Sequence, residues 1–442
     1  MNNINYYKNK NVGILGLGLS GTAAARILVN SNANIFVFDD KKDISYTPSK
    51  TTWLNYRKWP WEKINALIVS PGIPINSLRQ HEAIKLAKKH NINIINDIDL
   101  FYQTKPKATI IGITGTNGKS TTVALLDHIL KFNNINSVIG GNYGFPACEI
   151  IDPGEMGVII LELSSYQLDG VSQLTLNGGA IINITPDHLD YHEYFEAYKN
   201  SKLKILNFLD KGSLFVLDET NPYLKDIAEK KEFEQVTLVK VNALSGEKIV
   251  NTNIFLSGKH NFINTAIAAA LAKKLGLDDR QIKLAVNDFK GLPHRLEPVY
   301  TSKKIKIIND SKATNGEATA AALTTFKNIY WIAGGEPKKD GIGKALECLE
   351  NVLEIFLIGE SSKVFLKQIL DSNKDISVMD CSTLENATKL AIEKAQKSRL
   401  QNIVILLSPA AASFDQFQNF EARGNKFKNI VNVNFKEGNL IC

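Results

Sequence analysis

The sequence predicts an α/β protein of three domains, each holding a parallel or largely parallel sheet flanked by helices. Three observations carry that reading. Short runs rich in β-branched residues alternate with helix-period segments along most of the 442 residues, as expected of strands joined by helical crossovers. Some runs, such as VIILEL at 158–163, are almost continuously apolar, which a strand covered on both faces requires. The length also calls for about three cores at roughly 100–200 residues per domain.

In chain order, NVGILGLG opens the first domain, followed by NIFVFDD and ALIVSPG. Residues 97–107, ending in QTKPK, interrupt the alternation before ATIIGITG starts a second series that continues through VIILELSS and GAIINIT. GLPHRLEP at 291–298 then separates a helix-rich segment from KIKIIND, NIYWIAGG, EIFLIGE and NIVILLSP. The expected domains are therefore 1–97, 98–296 and 297–442.

Composition narrows the class of function. Hydrophobic residues at 44% and charged residues at 22% suit a folded chain. Lys and Arg number 52 against 45 Asp and Glu, a net charge of +7. That bias suits anionic substrates, and without a basic stripe interleaved with aromatics it gives no reason to expect nucleic acid. Cys148, Cys348, Cys381 and Cys442 are far apart and form no CxxC pair, so neither a zinc site nor a disulfide framework is expected. The first ten residues are polar, and no apolar run approaches the length of about 18 that a membrane helix needs. A soluble cytoplasmic protein without membrane insertion is the expectation.

The strongest local signal is ATIIGITGTNGKSTT, a buried strand running through Gly115, Thr116, Asn117 and Gly118 into a helix that starts with Lys119 and Ser120. Backbone N–H groups at such a helix start cradle phosphate, Lys119 adds charge, and Ser120 can ligate magnesium. The strict GxxxxGK[ST] spacing fails because Ile113 stands where its first glycine belongs, so this is a variant phosphate loop. Glu162 ends an apolar strand and is either the metal carboxylate such a loop needs or a residue reaching solvent.

Lys202 follows Phe195 by seven and Tyr198 by four, and precedes Ile205 by three and Leu209 by seven, in a helical pattern over 191–209. It thus lies within the apolar stripe, whereas Lys204 falls on the opposite face with a solvated lysine's place. Burial would make Lys202 a neutral amine able to take up carbon dioxide as a carbamate, a metal ligand. Periodicity alone favours the other outcome, a packed stem with the ammonium in water. His188, just past a strand, is a ligand or a loop histidine, and His260, Asn261 and Asn264 open a helix they either cap or use to read an adenine edge.

Gly16, Gly18 and Gly21 follow the first strand, and Asp39 ends the next. This is the dinucleotide fingerprint with Asp39 in the ribose position, and alone it says NAD-dependent oxidoreductase. The glycines report only a pyrophosphate at a helix start, however, and a UDP-sugar carries one too. Combined with an ATP-type loop, the pattern suits an ATP-driven enzyme acting on a nucleotide-linked substrate.

At this point the chain resembles the Mur ligases, the ATP-dependent amide-forming enzymes of peptidoglycan precursor synthesis. The resemblance rests on GLGLSG, SPGI, TGTNGKST, GGNYG, LELSSYQL, NITPDHLDYH, Lys202, SGKHNFIN, GLPHR, NDSKATN and SPAAASFDQFQNFEARG, in order over nearly the whole chain. The last motif is similar to that of the D-glutamate-adding member, and the DNPR motif of diaminopimelate-adding members is absent. The resemblance implies a Rossmann-like UDP-binding domain, a central ATP-binding domain and a Rossmann-like amino-acid domain. It implies addition of D-glutamate to UDP-N-acetylmuramoyl-L-alanine through an acyl phosphate, with ATP and Mg2+, by a monomer serving cell-wall biogenesis and division.

Residue by residue, the resemblance assigns Ser20, Asp39, Asp40, Lys41 and Ser70 to the UDP end, and Asn142 and His188 to the substrate near the reacting centre. Residues 115–121, Gly115 through Thr121 with Lys119 as a catalytic cation, together with Asn264, Arg295 and Asp310, would contact ATP. Ser120, Glu162, His188 and a carbamylated Lys202 would serve the metal. Lys312, Thr314, Lys338, Ser413 and Phe420 would surround D-glutamate, with Lys339 an alternative to Lys338. Asp40-Lys41 and Ala411 depart from the family pattern, the first touching UDP contacts and the second packing.

Overall fold

The computed structural model describes residues 4–40, 48–76, 80–229, 235–250, 253–337, 341–372 and 374–436. They form an α/β structure with three sheets. The first contains β1 (Asn11–Leu15), β2 (Asn34–Phe38), β3 (Thr51–Trp53), β4 (Ile64–Val69) and β5 (Asn93–Ile95) in the order β3-β2-β1-β4-β5. All its neighbours are parallel. The second contains β6 (Thr109–Thr114), β7 (Ser137–Gly141), β8 (Val158–Glu162), β9 (Leu176–Ile181), β10 (Leu209–Asp218) and β11 (Thr237–Val241), in the order β11-β10-β9-β6-β8-β7 and again parallel throughout.

The third sheet is mixed. It comprises β12 (Glu297–Thr301), β13 (Ile305–Asn309), β14 (Ile329–Gly334), β15 (Val352–Ile358), β16 (Ser377–Ser382) and β17 (Ile403–Leu407), ordered β12-β13-β17-β14-β15-β16. Only β12 runs antiparallel to its neighbour. Pro298 is tolerated in β12 because an edge strand has one side with no ladder to complete.

The chain divides into two compact units, Met1–Ile249 with Ile263–Asn287 and Val250–Phe262 with Asp288–Cys442. The first holds the first two sheets. Within it, Asn96 caps the helix Asp97–Tyr102 and donates from Nδ2 to the Gln167 carbonyl at 2.8 Å. Asp99 Oδ1 accepts from the Ser172 and Gln173 backbone N–H groups at 2.8 and 2.6 Å. These buried polar bonds join the end of the first sheet's series to the second, and burial away from water raises the Asp99 carboxyl above its ordinary value.

Each sheet places loops at a switch in strand order, where open α/β sheets leave a crevice beyond the carboxyl ends. β1 lies between β2 and β4, and β6 between β9 and β8. The glycine turn and the phosphate loop leave β1 and β6 at those points. One expectation needs correction: the helical pattern over 191–209 is not one helix. It is split into Leu189–His192, Phe195–Leu203 and the tight 3-10 turns Lys204–Phe208, because Glu193 adopts φ +67°.

Candidate active site

The phosphate loop runs from β6 into the helix Lys119–Phe132. Gly118 stands at the helix start with φ +89°, a left-handed conformation that glycine alone adopts without strain, and a Cβ there would collide with the Asn264 side-chain oxygen. The loop is held from below by the segment leaving β9. Asn183 Oδ1 accepts from the Thr116 and Asn117 N–H groups at 3.1 and 2.9 Å, while its Nδ2 donates to the Asn117 carbonyl at 3.1 Å. Thr116 Oγ1 lies 2.8 Å from Tyr198 Oη and donates to the Thr185 carbonyl at 3.1 Å.

Two lysines converge on one oxygen of this loop. Lys119 Nζ donates to the carbonyls of Gly115 and Thr116 at 2.8 and 2.9 Å, and Lys202 Nζ donates to the same Gly115 carbonyl at 2.8 Å. Lys202 is 1% exposed, and its ammonium lies 4.8 Å from the Tyr198 ring centroid. Burial, reinforced by Lys119, pulls its pKa well below the ordinary lysine value, while Asp187 and Glu162 act in the opposite sense. The snorkelling arrangement that periodicity favoured is thus excluded. Lys204 is also not simply solvated, because its Nζ is 2.8 Å from the Asp169 carbonyl and 2.9 Å from Asp169 Oδ1.

Glu162, at the end of β8, is in register with Ile113 of β6 and is only 2% exposed, so it does not reach solvent. Asn142 Nδ2 donates to its Oε1 at 2.7 Å, while Oε2 is buried with no hydrogen-bond partner. His188 adopts φ +54°, with Nδ1 2.7 Å from Tyr166 Oη and Nε2 3.7 Å from Asp187 Oδ2. Tyr166, Tyr191, His192 and Tyr198 pack around it as an aromatic cluster. Among the described residues no group of three or more His, Cys, Asp or Glu is arranged to hold a metal.

At the first glycine turn, Gly16 has φ +87°, and its carbonyl accepts from Ser70 Oγ at 2.8 Å. The Leu17 N–H donates to Asp39 Oδ2 at 2.7 Å, so one Asp39 oxygen shapes the turn itself. Asp40 Oδ1 lies 3.4 Å from His81 Nε2. Ser20 sits near the buried Asp97, whose carboxyl is raised by burial and only partly relieved by Ser20 and Gln167. Lys41 lies outside the described residues.

In the second unit, Asp310 follows β13 and is buried, accepting from the Leu296 N–H at 3.2 Å and from Ser408 Oγ at 2.9 Å. Burial pushes its carboxyl up to about 7 against those two hydrogen bonds and the nearby Arg295. Lys312 Nζ stands 3.8 Å from the Phe420 ring centroid, a cation–π contact between two residues that the sequence reading put around one amino acid. Ser413 is buried in the loop beyond β17, and Thr314 follows Lys312 in the loop beyond β13. Lys338 and Lys339 lie outside the described residues.

The family model of the Mur ligase middle domain matches residues 113–254, and that of the Mur ligase glutamate ligase domain matches 294–411. A UDP-N-acetylmuramoylalanine–D-glutamate ligase from Zymomonas mobilis is 36% identical over 95% of this chain and 96% of its own length. The chain belongs to the Mur ligase family. A Rickettsia bellii protein of the same name is 34% identical over 97% of this chain and 98% of its own. Among solved structures, the UDP-N-acetylmuramate–alanine ligase MurC from Thermotoga maritima superposes with a TM-score of 0.57 at 17% identity, covering 96% of this chain and 99% of that one. MurF from Thermotoga maritima, solved in complex with ADP, gives 0.57 at 14% identity over 98% and 97%. At these identities the structures speak for the fold.

In this Mur ligase the first unit gathers the phosphate loop, Asn142, Glu162, His188, Lys202 and Asn264, and the second gathers Asp310, Lys312, Ser413 and Phe420. Sequence reading missed the residues that hold these groups in place. Asn183, Thr185 and Tyr198 brace the loop, Tyr166 engages His188, and Arg423 anchors the last domain's loops. Arg423 carried a legible signal, since Phe427 and Ile430 follow it by four and seven and put it in the apolar stripe of the helix Phe420–Lys436. No helix among the described residues is long and apolar enough to cross a membrane.

Proposed function

We propose that this chain couples ATP cleavage to addition of D-glutamate onto UDP-N-acetylmuramoyl-L-alanine, with domains 1–97, 98–296 and 297–442 serving UDP, ATP and the amino acid. The convergence of Lys119 and Lys202 on the phosphate loop beside Glu162 carries the reading, and full-length relatives bearing this activity in their names support it. The alanyl carboxylate attacks the γ-phosphorus, giving an acyl phosphate and ADP. The amine of D-glutamate then attacks the carbonyl carbon, and phosphate leaves as the amide forms and a proton is lost.

Lys119 stands over the loop with two carbonyl acceptors that phosphate oxygens, being anionic, would outcompete. Loop N–H groups, braced by Asn183, orient the phosphates. A magnesium ion fits the oxygen donors here: the partnerless Oε2 of Glu162 and the buried Ser120 hydroxyl at the helix start. His188 and Lys202 would complete its surroundings. When bound, it supplies charge neutralisation on the phosphoryl oxygens. A neutral Lys202 amine can add to carbon dioxide and lose a proton, converting a cation into an anionic oxygen ligand.

The test is phosphate release with ATP, magnesium and UDP-N-acetylmuramoyl-L-alanine, in parallel with D-glutamate, L-glutamate, glycine or meso-diaminopimelate, with the product mass measured. Release that depends on D-glutamate and adds one glutamyl residue is expected. Dependence on another amino acid would overturn the reading of the last domain, and no release with any would overturn the reaction.

A further inference from the structure

Arg423, which the proposed reaction does not use, is 1% exposed, among the largest fully buried side chains of the molecule. Its Nε donates to Ser311 Oγ at 3.0 Å and its Nη2 to the carbonyls of Ser311 and Ala411 at 2.9 and 3.1 Å. Nη1 donates to Ala411 and Ala412 carbonyls at 3.1 Å each, and reaches the Gly334 carbonyl at 3.5 Å. Every one of these acceptors is neutral. Asp415 is the acid whose field it feels, yet the Asp415 carboxylate accepts from the Glu360 N–H rather than from the guanidinium.

A buried cation is ordinarily paired, because taking an unpaired charge out of water is costly. Here the cost is met by oxygens from three loops that leave the carboxyl ends of β13, β17 and β14. Two of those loops hold residues read as the amino-acid pocket: Ser311 precedes Lys312, and Ala412 precedes Ser413. Phe420 stands one turn before Arg423 on the same helix, and its carbonyl accepts from Ser311 Oγ at 2.9 Å. Gly424, next along, has no room for a Cβ because the His294 ring lies against it. The planar five-donor fork of arginine suits this task, and no other side chain can span three loops while keeping its charge.

We propose that Arg423 is a positioning and specificity-determining residue for the incoming amino acid. It gathers the three loops into one pocket and leaves beneath them a positive charge to which no carboxylate among the described residues is hydrogen-bonded, favouring an amino acid with a second carboxylate. This rests on the D-glutamate reading above and adds to it a residue that reads the substrate's charge without touching it.

The test compares Arg423→Lys and Arg423→Gln in the full chain by phosphate release with varied D-glutamate, ATP and UDP-substrate, with D-glutamine as the neutral isostere. Arg423→Gln is expected to raise KM for D-glutamate about ten- to thirtyfold, the loss of a charge-assisted network, with KM for ATP within about twofold and thermal midpoints showing a folded protein. Its preference for D-glutamate over D-glutamine should shrink, and Arg423→Lys should restore that preference in part while KM stays raised. An unchanged KM and preference in Arg423→Gln would overturn the inference and leave the reaction standing. Loss of turnover with D-glutamate in the unsubstituted protein would instead overturn the reaction. If neither variant yields folded protein at low temperature, Arg423 is a structural residue and the inference fails.

Discussion

Replacing Asp310 by asparagine should stabilise the protein in a way that grows with pH. The buried Asp310 carboxyl is pushed up to about 7 from an ordinary 3.8. In the native state it therefore keeps its proton over a range where the unfolded chain has released it. The stability this provides is fully present below 3.8 and is lost as pH rises through about 7. At about 1.4 kcal/mol per pH unit, the loss reaches roughly 4 kcal/mol above neutrality and is about 3 kcal/mol larger at pH 8 than at pH 5. Asparagine has nearly the same shape and no charge, its oxygen can accept from Leu296 N–H, and its amide can donate to Ser408 Oγ once that hydroxyl turns its single proton from residue 310 to Thr319 Oγ1, 3.2 Å away. The assay is urea unfolding of both proteins at pH 5 and pH 8, alongside phosphate release. Asp310→Asn should gain stability at pH 8, gain less at pH 5, and turn over more slowly, since the charge is kept at a cost for its proposed ATP contact. An equal stability difference at both pH values would refute the reasoning.

Three further outcomes are expected. Asn183→Ala strips the acceptor from the Asn117 N–H, while the Thr116 N–H keeps the Asn183 backbone carbonyl at 3.0 Å, costing about 1–3 kcal/mol and raising KM for ATP; an unchanged KM would show that the loop needs no brace. Gly118→Ala forces a side chain into φ +89° against Asn264 at about 1–2 kcal/mol for the backbone alone, and a melting midpoint equal to that of the unsubstituted protein would contradict the collision. Lys202→Ala should cripple turnover, with partial return on adding short-chain carboxylates at low pH; a fully active variant would remove the carbamate.

What could be read from the sequence followed burial. The ten apolar runs correspond to β1, β2, β4, β6, β8, β9, β13, β14, β15 and β17. All but one of the remaining strands, namely β3, β5, β7, β11, β12 and β16, are sheet edges. An edge strand is paired and covered less, so its sequence needs less apolar character: Thr51–Trp53 and Ser377–Ser382 look like loop by composition. The residues proposed for the chemistry stood out in the sequence because glycine, lysine and carboxylate are conspicuous at strand ends. Their supports did not, since Asn183 and Tyr198 act through geometry that only the packing of β9 and the helix Phe195–Leu203 creates. Lys202 lay between these cases. The stripe located it, but whether its ammonium turned inward depended on the distant Gly115 carbonyl.

The interleaving of the two units along the chain bears on how the molecule is made. Val250–Phe262 belongs with the C-terminal unit, where Asn253 Nδ2 donates to the Phe289 carbonyl at 2.8 Å, Phe255 lies against Gly291 and Leu256 is fully buried. During synthesis these apolar residues leave the ribosome well before the strands of their own sheet, and wait unshielded while Ile263–Asn287 completes the other unit. No single cut separates the two: ending the chain at Ile249 takes Ile263–Asn287 from one, and starting it at Asp288 takes Val250–Phe262 from the other. The halves are obliged to mature together, and the nascent chain between them is where a chaperone would be needed most.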